Sequence, residues 1–179
     1  MAMTSNGAWR ALTDDQCMFV TMFIGLVNLS TGRLDFCNCG HSRPIVDGEF
    51  LQMGYANNPL GLIPDLHYKG NSISDIRGHQ ILFYTDGLNE AEAPDGELFG
   101  NDRLLQLMQT AGNLSSEEVI TMLKEAVNKF RSGAEPSDDL TLMCLRINTT
   151  SAVWPLKMGQ QMAKILTSRL SSDSHTGFR

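Results

Sequence analysis

The sequence lacks any apolar run that approaches the roughly 20 residues of a membrane-spanning helix. It also has no charged and then apolar stretch after Met1 of the kind that forms a signal peptide. We therefore expect a cytoplasmic protein with no membrane contact in this segment.

An excess of positive charge is missing too. The chain has 14 Lys and Arg against 20 Asp and Glu, which gives a formal net charge of -6. No basic cluster lies along one predicted face, so nucleic acid is not expected as a partner.

Cysteine is scarce and scattered. Cys17, Cys37, Cys39 and Cys144 lie in apolar surroundings, which favours reduced core thiols over a disulfide framework. Cys37, Cys39 and His41 alternate and could share one strand face. A zinc site there would need further ligands that the sequence does not place.

What is present fits one domain of ordinary composition, with 42% hydrophobic and 19% charged residues in 179. Residues 18–29 and 33–39 are predicted as a hairpin around a turn at residues 30–32, although the Met content of the first run leaves a helix open. Asp47-Gly48 between two apolar runs predicts a second hairpin. Residues 58–66 are predicted as a loop.

The later part of the chain changes pattern. A short edge strand is predicted over residues 72–76, and buried strands over residues 79–85 and 140–147. Two helices lie between them, the first over residues 101–110. The second starts at a capping box and keeps the helical period to Phe130. Strands in hairpins, then helices, then one more strand predict an α+β fold.

Acidic residues follow or precede the two predicted buried strands. Asp86 ends the first strand and is followed by Gly87, which allows a sharp turn and leaves open space beside the carboxylate. An unpaired carboxylate at the end of a buried strand is costly, so a cation is expected nearby. Asp138-Asp139 precede the other strand, and neighbouring strands would let the acids share Mg²⁺ or Mn²⁺. Each feature alone also fits an ordinary turn or a solvated loop.

In this order, four stretches resemble the bacterial metal-dependent protein serine/threonine phosphatases of the PPM superfamily, and among them the sporulation stage II protein E type. They are FVTMFIGLVNLSTGRLDFCNCGHSRP, NPLGL, ILFYTDGLNEAEAPDGELFGNDRLL and SDDLTLMCLRI. The resemblance implies a β-sandwich of two antiparallel sheets flanked by helices, here a partial αββα sandwich. It also implies two-metal hydrolysis of phosphoserine or phosphothreonine on partner proteins, often anti-sigma-factor antagonists.

The resemblance also implies roles for single residues. Asp86 matches the metal-binding Asp of the Asp-Gly motif, beside Gly87, and Asp138 matches the metal Asp of the final Asp-Asp-x-Thr motif. Both would hold Mn²⁺ or Mg²⁺. Asp139 would orient a ligand or a metal-bound water from just outside the metal's ligands.

Two further residues, Thr141 and His41, belong to these motifs. Thr141 would either hydrogen-bond nearby backbone or pack within its strand. His41 stands where eukaryotic relatives have an Asp that can serve an accessory metal. We therefore do not expect that metal here, and expect His41 to fix a turn by hydrogen bonds.

The resemblance implies one residue that the 179 residues lack, an Asp in a Gly-Asp-x-x-Gly segment that bridges both metals. No Gly-Asp dipeptide is present. We therefore expect residues 1–17 to be an N-terminal extension, residues 18–147 a partial phosphatase domain, and residues 148–179 a linker with a C-terminal helix and tail.

A partial sandwich would expose sheet edges, which favours a homodimer or strand exchange. Alone, the 179 residues are expected to be inactive. The alternative is a binding or regulatory module of the same fold without catalysis.

Overall fold

The computed structural model describes residues 19–136 and 138–148. The expected N-terminal extension, Cys17 and the expected C-terminal helix lie outside the described residues. In the described ranges the chain forms seven strands and two helices. In chain order they are β1 (Met22–Val27), β2 (Leu34–Cys39), β3 (Ile45–Val46), β4 (Glu49–Phe50), β5 (Asn71–Ile73), β6 (Gln80–Tyr84), α1 (Gly100–Thr110), α2 (Ser116–Arg131) and β7 (Leu142–Arg146). No helix in these ranges is long and apolar enough to cross a membrane.

The first sheet has three antiparallel strands in the order β1-β2-β5. The predicted hairpin of β1 and β2 is confirmed, with Met22 opposite Cys39 and Val27 opposite Leu34. Its turn is closed by Asn28, whose Oδ1 accepts hydrogen bonds from the backbone N–H groups of Ser30 and Thr31. The predicted edge strand is confirmed as β5, which pairs only with β2 among the described strands.

The second sheet has four antiparallel strands in the order β4-β3-β6-β7. The hairpin predicted at Asp47-Gly48 is confirmed between β3 and β4. Both turn residues have positive φ, 49° and 84°, as a two-residue hairpin turn requires. β6 is an inner strand, and its buried character is confirmed because four of its five residues are buried.

The prediction that β7 is buried was wrong. Its residues are mostly half-buried, and the Met143 side chain is 54% exposed. Among the described strands β7 pairs only with β6, so it forms an edge of its sheet. An apolar run alone does not show whether both faces of a strand are covered.

The two sheets pack face to face. Leu34 and Phe36 of the first sheet share a buried cluster with Ile81 of the second, and the rings of Phe23 and Phe83 lie 5.0 Å apart between centroids. The other face of the second sheet is covered by the helices, in a larger cluster. Its buried members are Ile45, Leu82, Tyr84, Leu88, Ala91, Phe99, Leu104, Met108, Ala111, Val119, Leu123 and Val127. The layers are therefore sheet, sheet and helices.

The three described cysteines are free. Cys37 and Cys39 are buried in β2, with their sulfur atoms 3.6 Å apart, whereas Cys144 is half-buried. Burial, together with the hydrogen bond to Cys37, raises the pKa of the Cys39 thiol to about 12. Both thiols of β2 therefore suit a core role.

The predicted capping box of α2 is confirmed. Ser115 Oγ accepts from the Glu118 backbone N–H at 3.2 Å, and Glu118 Oε2 accepts from the Ser115 N–H at 2.7 Å. Hydrogen bonds from the backbone N–H and from the side chain of Ser115 lower the pKa of the Glu118 carboxyl. The box thus fixes the start of the helix that covers β7.

Replacing Ser115 with Ala should lower the free energy of unfolding by about 1 kcal/mol, because one N–H of the first helical turn loses its acceptor. Urea denaturation followed by circular dichroism measures this change. An unchanged midpoint would show that solvent replaces the cap without loss.

Candidate functional site

The end of β6 and the start of β7 lie side by side where these two strands of the second sheet end. This end of the sheet is called the Asp86 edge. In their antiparallel pairing Tyr84 is opposite Leu142, and the Thr85 N–H donates to the Thr141 carbonyl at 3.1 Å. Antiparallel pairing brings the end of one strand to the start of its neighbour. The structure therefore brings the turn containing Asp86 and the loop containing Asp138 to the same edge, the condition for their sharing an ion.

Thr85 joins the turn and the loop, and sequence analysis missed it. Its hydroxyl donates to the Asp139 carbonyl at 3.0 Å and accepts from the Thr141 N–H at 2.9 Å. The hydrogen bonds of Thr141 to Thr85 run through its backbone, and its side chain is exposed. A Thr directly before the Asp-Gly pair was the available signal, because its hydroxyl can both donate and accept.

Gly87 allows these two segments to approach closely. A Cβ atom at this position would lie 2.6 Å from the Asp139 carbonyl oxygen and 3.4 Å from that of Asp138. The backbone of the second loop therefore fills the space at the Gly87 Cβ position, which a larger residue would need. Beyond Gly87 the chain turns, with the Glu90 N–H donating to the Asp86 carbonyl at 2.8 Å.

Gly87→Ala should lower the free energy of unfolding by about 1–3 kcal/mol, since the added methyl overpacks against backbone that cannot rotate away. It should also weaken Mn²⁺ binding, because the loop of Asp138 must move. Gly112→Ala is the matched control, as no atom lies within 4 Å of its Cβ position. Thermal melting and Mn²⁺ titration of both variants measure the difference. Equal behaviour of the two variants would contradict the close packing at Gly87.

The carboxylates of Asp86, Asp138 and Asp139 at this edge are exposed. The argument that Asp86 needs a cation because it is buried was therefore wrong, since water can solvate it. Asp138 Oδ1 accepts from the Asp139 N–H at 2.7 Å. None of the ion pairs formed within residues 19–136 and 138–148 includes Asp86, Asp138 or Asp139. Among the described residues, no basic side chain pairs with these three carboxylates.

The carboxylate oxygens at this edge are the type of ligand that a hard cation prefers. They are too few to fill its coordination positions. Carboxylate oxygens are the ligands that Mg²⁺ and Mn²⁺ prefer. However, the described part of the chain contains no group of three or more His, Cys, Asp or Glu side chains placed to hold a metal ion. An ion held by Asp86 and Asp138 would fill its other positions with water or with ligands from elsewhere.

His41 lies in a turn held mainly by Asn38. Asn38 is 4% exposed, its Oδ1 accepts from the His41 N–H at 2.8 Å, and its Nδ2 donates to the His41 carbonyl at 2.9 Å. Both hydrogen bonds are made by backbone atoms of His41 and not by its imidazole. Sequence analysis missed Asn38, although an Asn three residues ahead is a common way to close such a turn. Cys37 and Cys39 share a strand face, but no three-ligand zinc group with His41 forms among the described residues.

The fold defines the class of protein. The structure matches the SiaA-PP2C domain of Pseudomonas aeruginosa with a TM-score of 0.69 at 19% identity, over 80% of this chain and 58% of that one. It matches the phosphatase domain of the cell fate determinant SpoIIE from Bacillus subtilis, presoaked with Mn, with a TM-score of 0.60 at 21% identity, over 82% and 64%. The predicted α+β class with two antiparallel sheets is confirmed, and the fold is that of PP2C-type phosphatase domains.

Within that class the sequence identifies the family. The model of the Stage II sporulation protein E (SpoIIE) family matches residues 3–148, so the chain belongs to this family. Protein IcfG of Synechocystis is 27% identical over 137 residues, and phosphoserine phosphatase RsbU of Bacillus subtilis is 26% identical over 136. These matches cover 75% and 74% of this chain but 22% and 40% of those proteins. The chain thus spans less than half of either relative.

Proposed function

We propose that these residues belong to a metal-dependent phosphatase that removes phosphate from phosphoserine or phosphothreonine on a regulatory protein. The observation that carries the proposal is the meeting of Asp86 and the Asp138 loop at one sheet edge, in a chain of the SpoIIE family. The phosphatase domain would comprise residues 18–147.

Asp86 and Asp138 would hold Mn²⁺ or Mg²⁺ through their carboxylates. A bound divalent ion lowers the pKa of water and offsets the charge of phosphoryl oxygens. Asp139 would act through its backbone, because its N–H fixes the Asp138 carboxylate and its carbonyl is tied to Thr85. Gly87 would keep the two loops close enough for both carboxylates to reach one ion.

The carboxylate that bridges a second ion would come from outside these 179 residues. The chain contains no Gly-Asp dipeptide, and the two matched phosphatase domains are covered to only 58% and 64%. Another segment of a longer protein, from the same molecule or from a second copy, would supply it. A homodimer through the open edges of β1 or β7 remains a prediction.

The substrate would be a phosphorylated regulatory protein of the anti-sigma-factor antagonist kind, acting in the cytoplasm. Its support is the family together with the name of one relative, phosphoserine phosphatase RsbU. Phosphate release from such a phosphoprotein by the protein at its full natural length tests the proposal. Release with Mn²⁺ that stops on adding EDTA is expected, and metal-independent release or none would contradict it.

The second candidate is a module of the same fold that binds a phosphoprotein without hydrolysing it. It is favoured by the lack of a Gly-Asp dipeptide and of a three-ligand group in the described residues. Tight binding of a phosphoprotein that keeps its phosphate in the presence of Mn²⁺ would support this candidate over the first.

A further inference from the structure

Arg43 lies two residues before β3, and β3 pairs with β6, the strand that leads to Asp86. β3 pairs with β6 so that Ile45 is opposite Leu82 and Val46 is opposite Ile81. Continuing this antiparallel register by two residues brings Arg43 beside Tyr84, two residues before Asp86. Burial raises the pKa of the Tyr84 hydroxyl and the charge of Arg43 lowers it, which agrees with this placement.

The guanidinium of Arg43 is held in position, but it pairs with no carboxylate of the described residues. Its Nη2 donates to the Leu51 carbonyl at 3.0 Å, and its Cζ lies 5.3 Å from the centre of the Phe50 ring. A guanidinium has five N–H donors, so most remain free for another acceptor. The residue itself is exposed, so a ligand can reach it from solvent.

Three of the other five arginines of the described chain pair with a carboxylate, whereas Arg131 and Arg146 donate to backbone carbonyls as Arg43 does. Arg33, Arg77 and Arg103 each pair with a carboxylate, at N–O distances of 2.6–2.7 Å. No ion pair formed within residues 19–136 and 138–148 includes Arg43. A carbonyl and an aromatic ring orient a cation without cancelling it, which suits a site that awaits an anion.

The charges at this edge indicate which kind of anion Arg43 would bind. Asp86, Asp138 and Asp139 place negative charge there, and a phosphorylated side chain adds about -1.5 to -2 more near neutral pH. Ions held by the carboxylates would offset part of that charge. Arginine offers two parallel N–H groups that fit two phosphoryl oxygens at once.

We propose that Arg43 binds the phosphoryl group of the phosphoserine or phosphothreonine substrate and positions it at the Asp86 edge. This inference rests on the proposed function, because it assigns a substrate contact to the same site. Arg43 would act mainly in substrate binding, so its loss should affect KM more than kcat.

The test uses the protein at its full natural length and a phosphoserine peptide, with the unphosphorylated peptide alongside. Binding is measured by fluorescence anisotropy with Mn²⁺ and a phosphonate analogue of the phosphopeptide that cannot be hydrolysed, and phosphate release is measured separately with the phosphopeptide and Mn²⁺. Arg43→Ala should weaken binding of the phosphopeptide by about tenfold to a hundredfold, as expected for hydrogen bonds to a charged group. Arg43→Lys should recover part of this loss, since it keeps the charge but not the paired donors. Arg33→Ala is the control. Arg33 directly precedes β2 of the first sheet, and its replacement should leave binding unchanged.

Thermal melting and Mn²⁺ affinity of Arg43→Ala should stay close to those of the wild type, which separates binding from folding. Equal weakening of the phosphorylated and unphosphorylated peptides would overturn the proposal, as would unchanged binding in Arg43→Ala or a wild type that does not prefer the phosphopeptide. Failure of the wild type to release phosphate, with phosphate-selective binding that depends on Arg43, would overturn the proposed hydrolysis and leave this inference standing.

Discussion

Asp86→Asn is expected to abolish Mn²⁺-dependent phosphate release by the protein at its full natural length. The loss should exceed about 100-fold, because changing even an outer partner of a metal ligand costs about 10–100-fold. The fold should persist, since Asp86 is exposed, is in no ion pair among the described residues, and has nearly the volume of Asn. Steady-state phosphate release and thermal melting measure the two effects.

Asp35→Asn is the matched control for this variant. Asp35 lies in β2 of the first sheet and pairs with Arg33. Such surface ion pairs contribute about 0–1 kcal/mol to the free energy of unfolding. It should keep full activity and almost full stability. Retention of wild-type Mn²⁺-dependent turnover in Asp86→Asn would refute the assignment of Asp86 as a metal ligand.

The 179 residues by themselves should bind Mn²⁺ poorly and release little or no phosphate. Two carboxylates can hold one hard cation, but only weakly, because most of its coordination positions stay with water. A single loosely held ion neither positions nor acidifies the attacking water well. Within residues 19–136 and 138–148, no three or more His, Cys, Asp or Glu side chains are placed to hold a metal ion.

Calorimetric titration with Mn²⁺ and a phosphate-release assay on this chain measure the second prediction. Addition of a polypeptide that carries the Gly-Asp segment should restore binding if the bridging carboxylate comes from outside. Tight binding of two ions per chain, or turnover of about 1 per second or more, would show that the chain already has a complete site.

Most of the secondary structure could be predicted because its causes are local. Asp47-Gly48 adopts the positive φ values of a tight hairpin, and the Ser115 capping box fixes the start of α2. The apolar run of β6 likewise predicted a strand with four of its five residues buried. These patterns need no knowledge of what packs on them.

The exposure of β7 and the packing at the site could not be predicted because they depend on the neighbours of each element. Met143 is exposed since β7 is a sheet edge among the described strands, which its apolar sequence does not reveal. The space beside Gly87 is filled by a loop more than 50 residues later in the chain. Asn38 and Thr85 act through hydrogen bonds to backbone, which leave no periodic pattern in the sequence.

The assignment of Asp86 and Asp138 as metal ligands from the motifs stays a prediction, and the physical argument for a metal at Asp86 was wrong. Asp86 is exposed, so the cost of burying a carboxylate does not apply. What supports the metal proposal is the meeting of two separate acidic segments at one edge, held by Thr85 and Gly87. Pairing between distant strands decided this, and a single sequence does not contain that information directly.

The location of Mn²⁺ on the chain tests the central claim most directly, and nuclear magnetic resonance can measure it even when binding is weak. Substoichiometric Mn²⁺ broadens the amide signals of residues close to the bound ion. The account predicts that signals of Asp86, Gly87 and residues 138–141 broaden first, and that Asp86→Asn removes this selectivity. Broadening centred elsewhere, such as at Cys37 and Cys39, or spread evenly over the acidic surface would contradict a metal site at this sheet edge.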